Sequence, residues 1–324
     1  MHRTEYVIKR IAFALMTVFV AITINFLLFH ALPGSAVTSA LRSPHASPAL
    51  RAALTHEFGL DQSLFQQYFL YLKQLLFHAN MGLSFVDSVP VTATLRHALG
   101  NTIPLVLVGT FVAIVIGIVT GFLSAWRRSG AVDLISTNAA IVFYALPTQF
   151  IGMMLILLFG KYLPTAQMRN SIDNYFSDQS TWASMLDIGR HMILPALCLA
   201  LTLFGEYTLV VRSSMLETLG EDYVLTARAK GLPQRRIVVS HALRNAMLPI
   251  TTLIALSLGY IVAGAILVEI VFSWPGIGRE VYAAVLDRDY PMLQGAFLIL
   301  TLSVVFFNFL ADLIYFRLDP RIAE

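Results

Sequence analysis

Long windows without charged side chains alternate with polar segments along the chain. No charged residue stands between Arg10 and Arg42, and none stands between Arg96 and Arg127. A helix that crosses a bilayer needs about 20 mostly apolar residues, and helices satisfy their own backbone hydrogen bonds in lipid. We therefore predict an all-α integral membrane protein with six transmembrane helices. The predicted spans are residues 11–32, 103–126, 134–159, 191–211, 247–272 and 292–316.

The distribution of Lys and Arg predicts how these spans are oriented. Segments 1–10, 127–133, 212–246 and 316–324 hold 13 of the 22 Lys and Arg residues, although they contain only 61 of the 324 residues. Positively charged loops stay on the cytoplasmic side, so we predict that both termini are cytoplasmic. The predicted organisation is a cytoplasmic N-terminus (1–10), a first transmembrane helix (11–32), a long outer loop with short helices (33–102), a five-helix core (103–316) that contains the cytoplasmic loop 212–246, and a cytoplasmic tail (317–324).

The outer loop 33–102 carries two local helix signals. Ser47-Pro48 is typical of a helix start and Gly59 of a helix end. Asp61 can cap a second helix. The apolar residues that recur there at helical spacing are Leu64, Phe65, Tyr68, Phe69, Leu72, Leu75 and Leu76. Such a helix fits the outer membrane interface, or it packs on the bundle or on a partner subunit, and the sequence leaves these alternatives open.

Composition agrees with a chain whose surface faces lipid. Hydrophobic residues make up 57% of the chain and charged residues 13%, against about 25% charged residues in a typical soluble domain. The net charge of +3 is too small to suggest nucleic-acid binding. Cys198 is the only cysteine, so an intrachain disulfide is excluded, and its apolar neighbours predict a buried side chain. The first apolar window is too long for a cleavable signal peptide, so we expect it to be retained.

No motif for catalysis, metal binding or nucleotide binding occurs in the sequence. The eight histidines form no HExxH pattern and no Cys/His spacing for zinc. A phosphate-binding P-loop requires Gly-x4-Gly-Lys-Ser/Thr, whereas Gly160-Lys161 is followed by Tyr162, and Leu155 stands where the first glycine would be. We therefore predict no catalytic residue, metal site or cofactor on this chain. Any ATP chemistry must come from another polypeptide.

Three acidic residues lie near the predicted membrane boundaries, namely Glu206, Glu269 and Asp312. Charges inside a membrane often have a functional role. Glu206 lies six residues before Arg212, which places it about 9 Å from the cytoplasmic boundary. Two interpretations of Glu206 stay open: a contact to substrate or a gate, and a structural hydrogen bond or boundary charge.

Proline and glycine positions predict two features of the spans. Pro147 falls inside the third apolar window and predicts a bend. Gly109, Gly117 and Gly121 line the second window and would allow another helix to approach closely.

The cytoplasmic loop 212–246 contains a predicted short helix. Residues 223–230 are good helix formers, Gly231 is a natural helix end, and Pro233 prevents the helix from continuing. A second run, 235–247, leads back to the membrane. The small residues Ala227, Ala229 and Gly231 would leave the surface of the short helix open to another protein. A basic amphipathic helix on anionic lipid is the alternative.

This loop resembles that of a known family. Ala227-x3-Gly231, followed by a return helix, resembles the cytoplasmic coupling loop of ABC importer permeases. With His241-Ala242-Leu243-Arg244-Asn245-Ala246-Met247-Leu248-Pro249 it is similar to the dipeptide and oligopeptide branch. The other segments similar to that branch are Phe58-Gly59-Leu60-Asp61-Gln62, Met81-Gly82-Leu83-Ser84-Phe85, Phe272-Ser273-Trp274-Pro275-Gly276-Ile277-Gly278, Arg288-Asp289-Tyr290-Pro291 and Leu318-Asp319-Pro320-Arg321.

Two features depart from the broad family. Leu225 and Thr226 stand where the broad family has Glu and Ala. Pro249 falls 18 residues after Gly231, which is later than in the broad family and is shared by the peptide branch.

The resemblance implies a type I ABC importer permease, which forms half of a transmembrane pathway in the bacterial cytoplasmic membrane. It implies a second homologous permease, two ATPase subunits that hold ATP and Mg, an extracytoplasmic peptide-binding protein, surrounding lipid, and no nucleic acid. Closure of the ATPases would then rock the helix bundles. The residues that the resemblance assigns to ATPase coupling are Tyr223, Thr226, Ala227, Arg228, Ala229, Lys230, Gly231, Leu232 and Pro233.

Two other classes of function are alternatives. An ion-coupled secondary transporter would carry acidic residues at the midplane or broken helices, and no clear acidic pair is visible. A membrane scaffold would need no coupling loop. The sequence does not distinguish dipeptide, oligopeptide, glutathione or nickel as cargo.

Overall fold

The computed structural model describes residues 3–31, 62–165 and 181–318. Within these ranges the regular structure is helical apart from one isolated β-bridge between Leu83 and Pro90. The α-helices are α1 (Arg3–Ala31), α2 (Leu64–His78), α3 (Val91–Trp126), α4 (Ala131–Ala145), α5 (Thr148–Phe159), α6 (Thr181–Leu219), α7 (Asp222–Ala229), α8 (Gln234–Arg236), α9 (Leu243–Gly264), α10 (Ile266–Phe272), α11 (Ile277–Asp287) and α12 (Tyr290–Leu318), and a π-helix (Ile237–Ala242) joins α8 to α9. The predicted helix after Ser47-Pro48 and most of the predicted tail lie outside the described residues.

Four helices of the described chain are long and apolar enough to cross a membrane. Their apolar stretches are Val7–Phe29, Val91–Trp126, Met185–Leu219 and Tyr290–Leu310. The pair α4 and α5 adds a fifth if the two helices form one span. These candidates coincide with five of the six predicted windows. The remaining window, 247–272, is occupied by α9 and α10, which Ala265 separates.

The third predicted window is sharply bent at Pro147. The axes of α4 and α5 differ by 108°. Leu146 and Pro147 are both extended, with ψ angles of 137° and 136°, because proline disfavours helical geometry in the residue before it and cannot donate the next helical hydrogen bond. The predicted bend at Pro147 is confirmed, and it is large enough to divide the window into two helices.

The described chain forms two compact units. The first contains α1, α2, the start of α3, α11 and most of α12. Its buried core comprises Phe29, Val91, Leu95, Ala284, Met292, Leu293 and Ala296. Apolar side chains from four helices thus meet at one centre.

Helix α2 packs on α1 inside this first unit. The ring of Phe26 contacts those of Tyr68 and Tyr71 at centroid distances of 5.2 and 5.6 Å, and the hydroxyls of Thr23 and Tyr68 are 2.7 Å apart. Burial raises the pKa of Tyr71 to about 12, so its hydroxyl keeps its proton at neutral pH. Packing on the bundle, one of the predicted alternatives, therefore holds for this face of α2.

The helix start of α2 differs from the predicted cap at Asp61. Ser63 is the N-cap, and its side chain accepts a hydrogen bond from the Gln66 N–H while the Gln66 side chain accepts one from the Ser63 N–H. This reciprocal arrangement is a capping box, which satisfies two N–H groups that the helix itself leaves unpaired.

The second unit is built around close contact between α3 and α6. A Cβ atom added at Gly109 would lie 2.8 Å from Leu199, and one added at Gly121 would lie 2.6 Å from the Thr208 carbonyl oxygen. At Gly117 it would collide with Tyr207. The predicted close approach along this glycine stripe is confirmed. Cys198, also in this unit, is buried as predicted.

Candidate functional site

Helix α7 ends in a motif that its sequence predicts. Gly231 has a φ angle of +74°, in the left-handed region that glycine enters without steric cost. The Gly231 N–H donates to the Arg228 carbonyl at 2.9 Å, and the Leu232 N–H donates to the Ala227 carbonyl at 3.3 Å. These two bonds form a Schellman motif. The predicted helix 223–230 with its end at Gly231 is confirmed to within one residue at each end.

One face of α7 is anchored in a small apolar core. Val224 and Ala227 are buried and pack with Ile237, and the half-buried Leu219 and Leu232 close the cluster. Ala227 is only 6% exposed, so the expectation that it leaves the helix surface open is wrong. The small side chain of Ala227 instead fits into the apolar core on the buried face of α7.

The opposite face of α7 is exposed. The exposed members of the predicted coupling set are Tyr223, Thr226, Arg228, Ala229, Lys230, Gly231 and Pro233. Leu225 joins them, with 52% of its surface accessible. The structure therefore presents the large apolar side chain of Leu225 among polar and basic ones.

The chain returns to α9 through the π-helix Ile237–Ala242. Val238 and Ala242 are buried against Met215 and other apolar residues of the second unit. The predicted return run 235–247 is helical, but its π-helical part has no local signal in the sequence. Short π-helical segments occur often at functional sites.

Two side-chain hydrogen bonds fasten this segment. Ser214 near the end of α6 donates to the Ala246 carbonyl at 3.0 Å. Asn245 donates to the Tyr223 hydroxyl at 2.8 Å and thereby joins the start of α9 to the start of α7. Helix α7 is held through its apolar base, its C-terminal cap and this polar contact.

The surface of the 212–246 loop is rich in charge. Its exposed cations are Arg228, Lys230, Arg235, Arg236 and Arg244, and its exposed acids are Glu217, Glu221 and Asp222. The cations follow the acids along the chain, so the C-terminal part of α7 and the segment after it carry positive charge. Such a surface suits a partner with exposed carboxylates or an anionic membrane.

The pairing of Arg212 with Asp133 was not predicted from the sequence. Arg212 Nε donates to Asp133 Oδ1 at 2.7 Å, and Nη2 donates to Oδ2 at 3.1 Å. In the sequence, Arg212 marks only the cytoplasmic boundary of a predicted span. The available signal was a single acid, Asp133, at the edge of an apolar window, and no local pattern identifies its partner 79 residues later.

Glu206 lies on α6 between two residues in tight contacts. Gly205 approaches the Ala140 carbonyl of α4 so closely that a Cβ atom would not fit, and Tyr207 is buried. Glu206 itself is half-buried. Among the described residues, no group of three or more His, Cys, Asp or Glu side chains is arranged to hold a metal ion.

The long apolar helices and the bent pair define the chain as a multi-pass membrane protein. Residues 113–324 match the family model of the binding-protein-dependent transport system inner membrane component, and residues 3–107 match that of its N-terminal part. The chain belongs to this family.

Relatives match the chain along nearly its whole length. It is 36% identical to the dipeptide transport system permease protein DppB of Escherichia coli (strain K12), over 98% of both chains. It is 33% identical to the di/tripeptide transport system permease protein DppB of Pseudomonas aeruginosa, again over 98% of both. The glutathione transport system permease protein GsiC of Escherichia coli is 32% identical with the same coverage. The resemblance to peptide importer permeases found in the sequence is confirmed.

Proposed function

We propose that this chain is one of two permease subunits in an ATP-driven importer of short peptides. The observation that carries the proposal is helix α7, an exposed helix on a buried base, in a chain related over its full length to peptide permeases. Dipeptides, tripeptides and glutathione share a peptide backbone, so peptides of two to three residues are the proposed cargo. The bacterial cytoplasmic membrane is the proposed location.

The exposed face of α7 is the proposed contact to the ATPase subunits. The residues that would face a groove on the ATPase are Tyr223, Thr226, Arg228, Ala229 and Lys230. Leu225 would be the apolar centre of this face of α7. Ala227 and Leu232 would instead support the helix from below. ATP and Mg would be bound by the ATPases, and this chain would supply only the moving helix.

The proposed topology has six spans with both termini cytoplasmic. Helix α9 has 22 residues and a length of about 33 Å, which is enough to cross the hydrocarbon core. Together with the four long helices and the bent pair, α9 brings the number of proposed spans to six. The excess of Lys and Arg in segments 127–133 and 212–246 supports the orientation. Cysteine accessibility from each side of inverted and right-side-out vesicles tests it.

Glu206 is proposed to line the pathway or its gate. It is half-buried on the helix that leads to the 212–246 loop. Replacing it by Gln removes the charge and keeps the shape. In this proposal Glu206→Gln changes the peptide concentration for half-maximal uptake and leaves the binding of ATPase subunits unchanged. An unaltered uptake curve would remove Glu206 from the pathway.

The experiment that tests the function is purification of the complex from membranes, followed by uptake in proteoliposomes. A second permease and ATPase subunits should copurify. Labelled dipeptide should accumulate only when ATP is present on the side of the ATPase subunits and the peptide-binding protein is present on the opposite side. Uptake driven by a proton or sodium gradient without ATP would favour a secondary transporter, and purification without any ATPase would favour a scaffold. Competition by unlabelled dipeptide, tripeptide, glutathione and Ni²⁺ ranks the cargo classes.

A further inference from the structure

The carboxylate of Asp133 joins three helices and a turn. Besides the two bonds from Arg212, it accepts hydrogen bonds from Ser124 Oγ at 2.5 Å, from the Ser129 N–H at 3.0 Å and from Thr137 Oγ1 at 3.2 Å. Ser124 belongs to α3, Ser129 to the following turn, Asp133 and Thr137 to α4, and Arg212 to α6. Only 7% of the Asp133 surface is exposed.

The geometry makes this pair a rigid connection. A two-point contact between guanidinium and carboxylate fixes both distance and orientation. The same Arg212 Nε–H also donates to Ser124 Oγ at 3.1 Å, so Ser124 contacts both members of the pair. Asp133 is buried, whereas 27% of the Arg212 side chain is exposed. Removing Arg212 leaves a buried carboxylate without its partner, which costs more than removing both residues. The ends of α4 and α6 are therefore tied at this point.

The same two helices stay in contact in register away from the ion pair. Ala140 of α4 meets Gly205 of α6. Asp133 and Ala140 are seven positions apart, and so are Gly205 and Arg212, so α4 and α6 run antiparallel with matched spacing. Close to the end of α4, the rings of Phe143 and Phe204 contact each other at 5.6 Å. The contact thus extends from Asp133 to the 108° bend.

Helix α6 also leads directly to α7. Arg212 lies ten positions before Asp222, the first residue of α7. In the intervening turns, Ser214 and Met215 bind the return segment through the Ala246 carbonyl and the apolar core. A displacement of α7 is consequently passed to the part of α6 that carries Arg212.

We propose that Asp133 and Arg212 are positioning residues that transmit movement of α7 to the bent pair α4–α5. The inference rests on the function proposed above, in which α7 contacts the ATPases. With the pair intact, α4 follows α6 when α7 moves. Without it, the remaining contacts between α4 and α6 transmit only part of the movement, so more ATP is hydrolysed for each peptide transported.

The test is the number of ATP molecules hydrolysed per peptide transported by the full importer in proteoliposomes. Asp133→Asn and Arg212→Gln should each raise this ratio about fivefold or more, with ATPase subunits still bound. The double variant should be no worse than either single variant, because it leaves no unpaired charge. Multiplying effects in the double variant, or wild-type ratios in both single variants, would overturn the proposal.

A milder variant and a matched control accompany these. Ser124→Ala removes one hydrogen bond to Asp133 without creating an unpaired charge and should raise the ratio by about twofold. If the charge variants do not assemble, the same ratio is measured for Ser124→Ala and Arg212→Lys, and both should raise it. Wild-type ratios in both variants would overturn the proposed role of the ion pair. Arg128→Gln is the control, because Arg128 is exposed beside the same turn, and it should keep the wild-type ratio.

Failure of this inference can be told apart from failure of the proposed function. Gly231→Trp alters α7 directly and does not touch the ion pair. If Gly231→Trp uncouples transport while Asp133→Asn does not, only the role of the pair is wrong. If Gly231→Trp transports normally, the assignment of α7 to the ATPases is wrong as well.

Discussion

Ser84 donates a hydrogen bond to Asp289, although 205 positions separate them in the chain. The Oγ to Oδ2 distance is 2.5 Å, and both residues are buried. The other carboxylate oxygen accepts hydrogen bonds from the N–H groups of Phe85 and Met292, both at 3.3 Å. Asp289 directly precedes α12, so one carboxylate caps that helix and holds the segment around Ser84. Two of the segments that resemble the peptide branch therefore meet here.

Replacing Asp289 by Ala should destabilise the first unit. Loss of a helix cap costs about 0.5–2 kcal/mol, and a buried Ser84 O–H without an acceptor adds about 1–3 kcal/mol. The thermal midpoint of the purified protein should fall accordingly. Asp287→Ala is the matched control, because Asp287 is exposed two positions earlier. Equal midpoints for the two variants would show that the Ser84–Asp289 bond does not stabilise the fold.

Adding a methyl group at Gly121 should loosen the contact between α3 and α6. The new Cβ would lie 2.6 Å from the Thr208 carbonyl oxygen, and backbone cannot move aside cheaply, so Gly121→Ala should destabilise by about 1–3 kcal/mol. Gly100→Ala on the same helix meets no atom within 4 Å and should stabilise by about 0.5–1 kcal/mol. Thermal unfolding should therefore show a lower midpoint for Gly121→Ala and a higher midpoint for Gly100→Ala than for the wild type. Shifts in the same direction would contradict close packing at Gly121.

Neighbouring positions on α7 should respond differently to a negative charge. Val224 is fully buried and Leu225 is 52% exposed. Val224→Asp places an unpaired charge in the core beneath α7, so the loop should lose its structure and trypsin should cleave it at Arg228 and Lys230. Leu225→Asp should keep the loop resistant to trypsin and weaken the binding of ATPase subunits. Equal protease sensitivity of the two variants would contradict the burial of Val224.

Substitutions at Gly231 should separate backbone strain from bulk. The φ angle of +74° disfavours side chains, although the position has open space around it. Gly231→Ala should therefore cost about 1–2 kcal/mol in the stability of the α7 end, and Gly231→Asn should cost less, because Asn tolerates this conformation. Gly231→Trp should keep the fold and uncouple ATP hydrolysis from peptide uptake. Full uptake by the Trp variant would contradict the coupling role of the loop.

The sequence alone determined the features that depend on local physics. Apolar windows of membrane length predicted helices, because lipid leaves a backbone few other ways to form its hydrogen bonds. Gly231 and Pro233 predicted the end of α7, because glycine accepts a positive φ angle and proline cannot continue a helix. Pro147 predicted a bend for the same reason. The motifs of the cytoplasmic loop, combined with those of the outer loops and the tail, also identified the family.

The tertiary structure alone decided features that depend on which segments meet. Proline permits a bend but does not set its angle, so the 108° between α4 and α5 depends on contacts such as Gly152 against Val271. Val224 and Ala227 share a face of α7, and packing against Ile237, Leu219 and Leu232 makes that face the buried one. Asp133 and Arg212 meet because α4 and α6 pack antiparallel in register. Hydrogen bonds and ion pairs act over a few ångströms in space, and distance along the chain carries no signal of them.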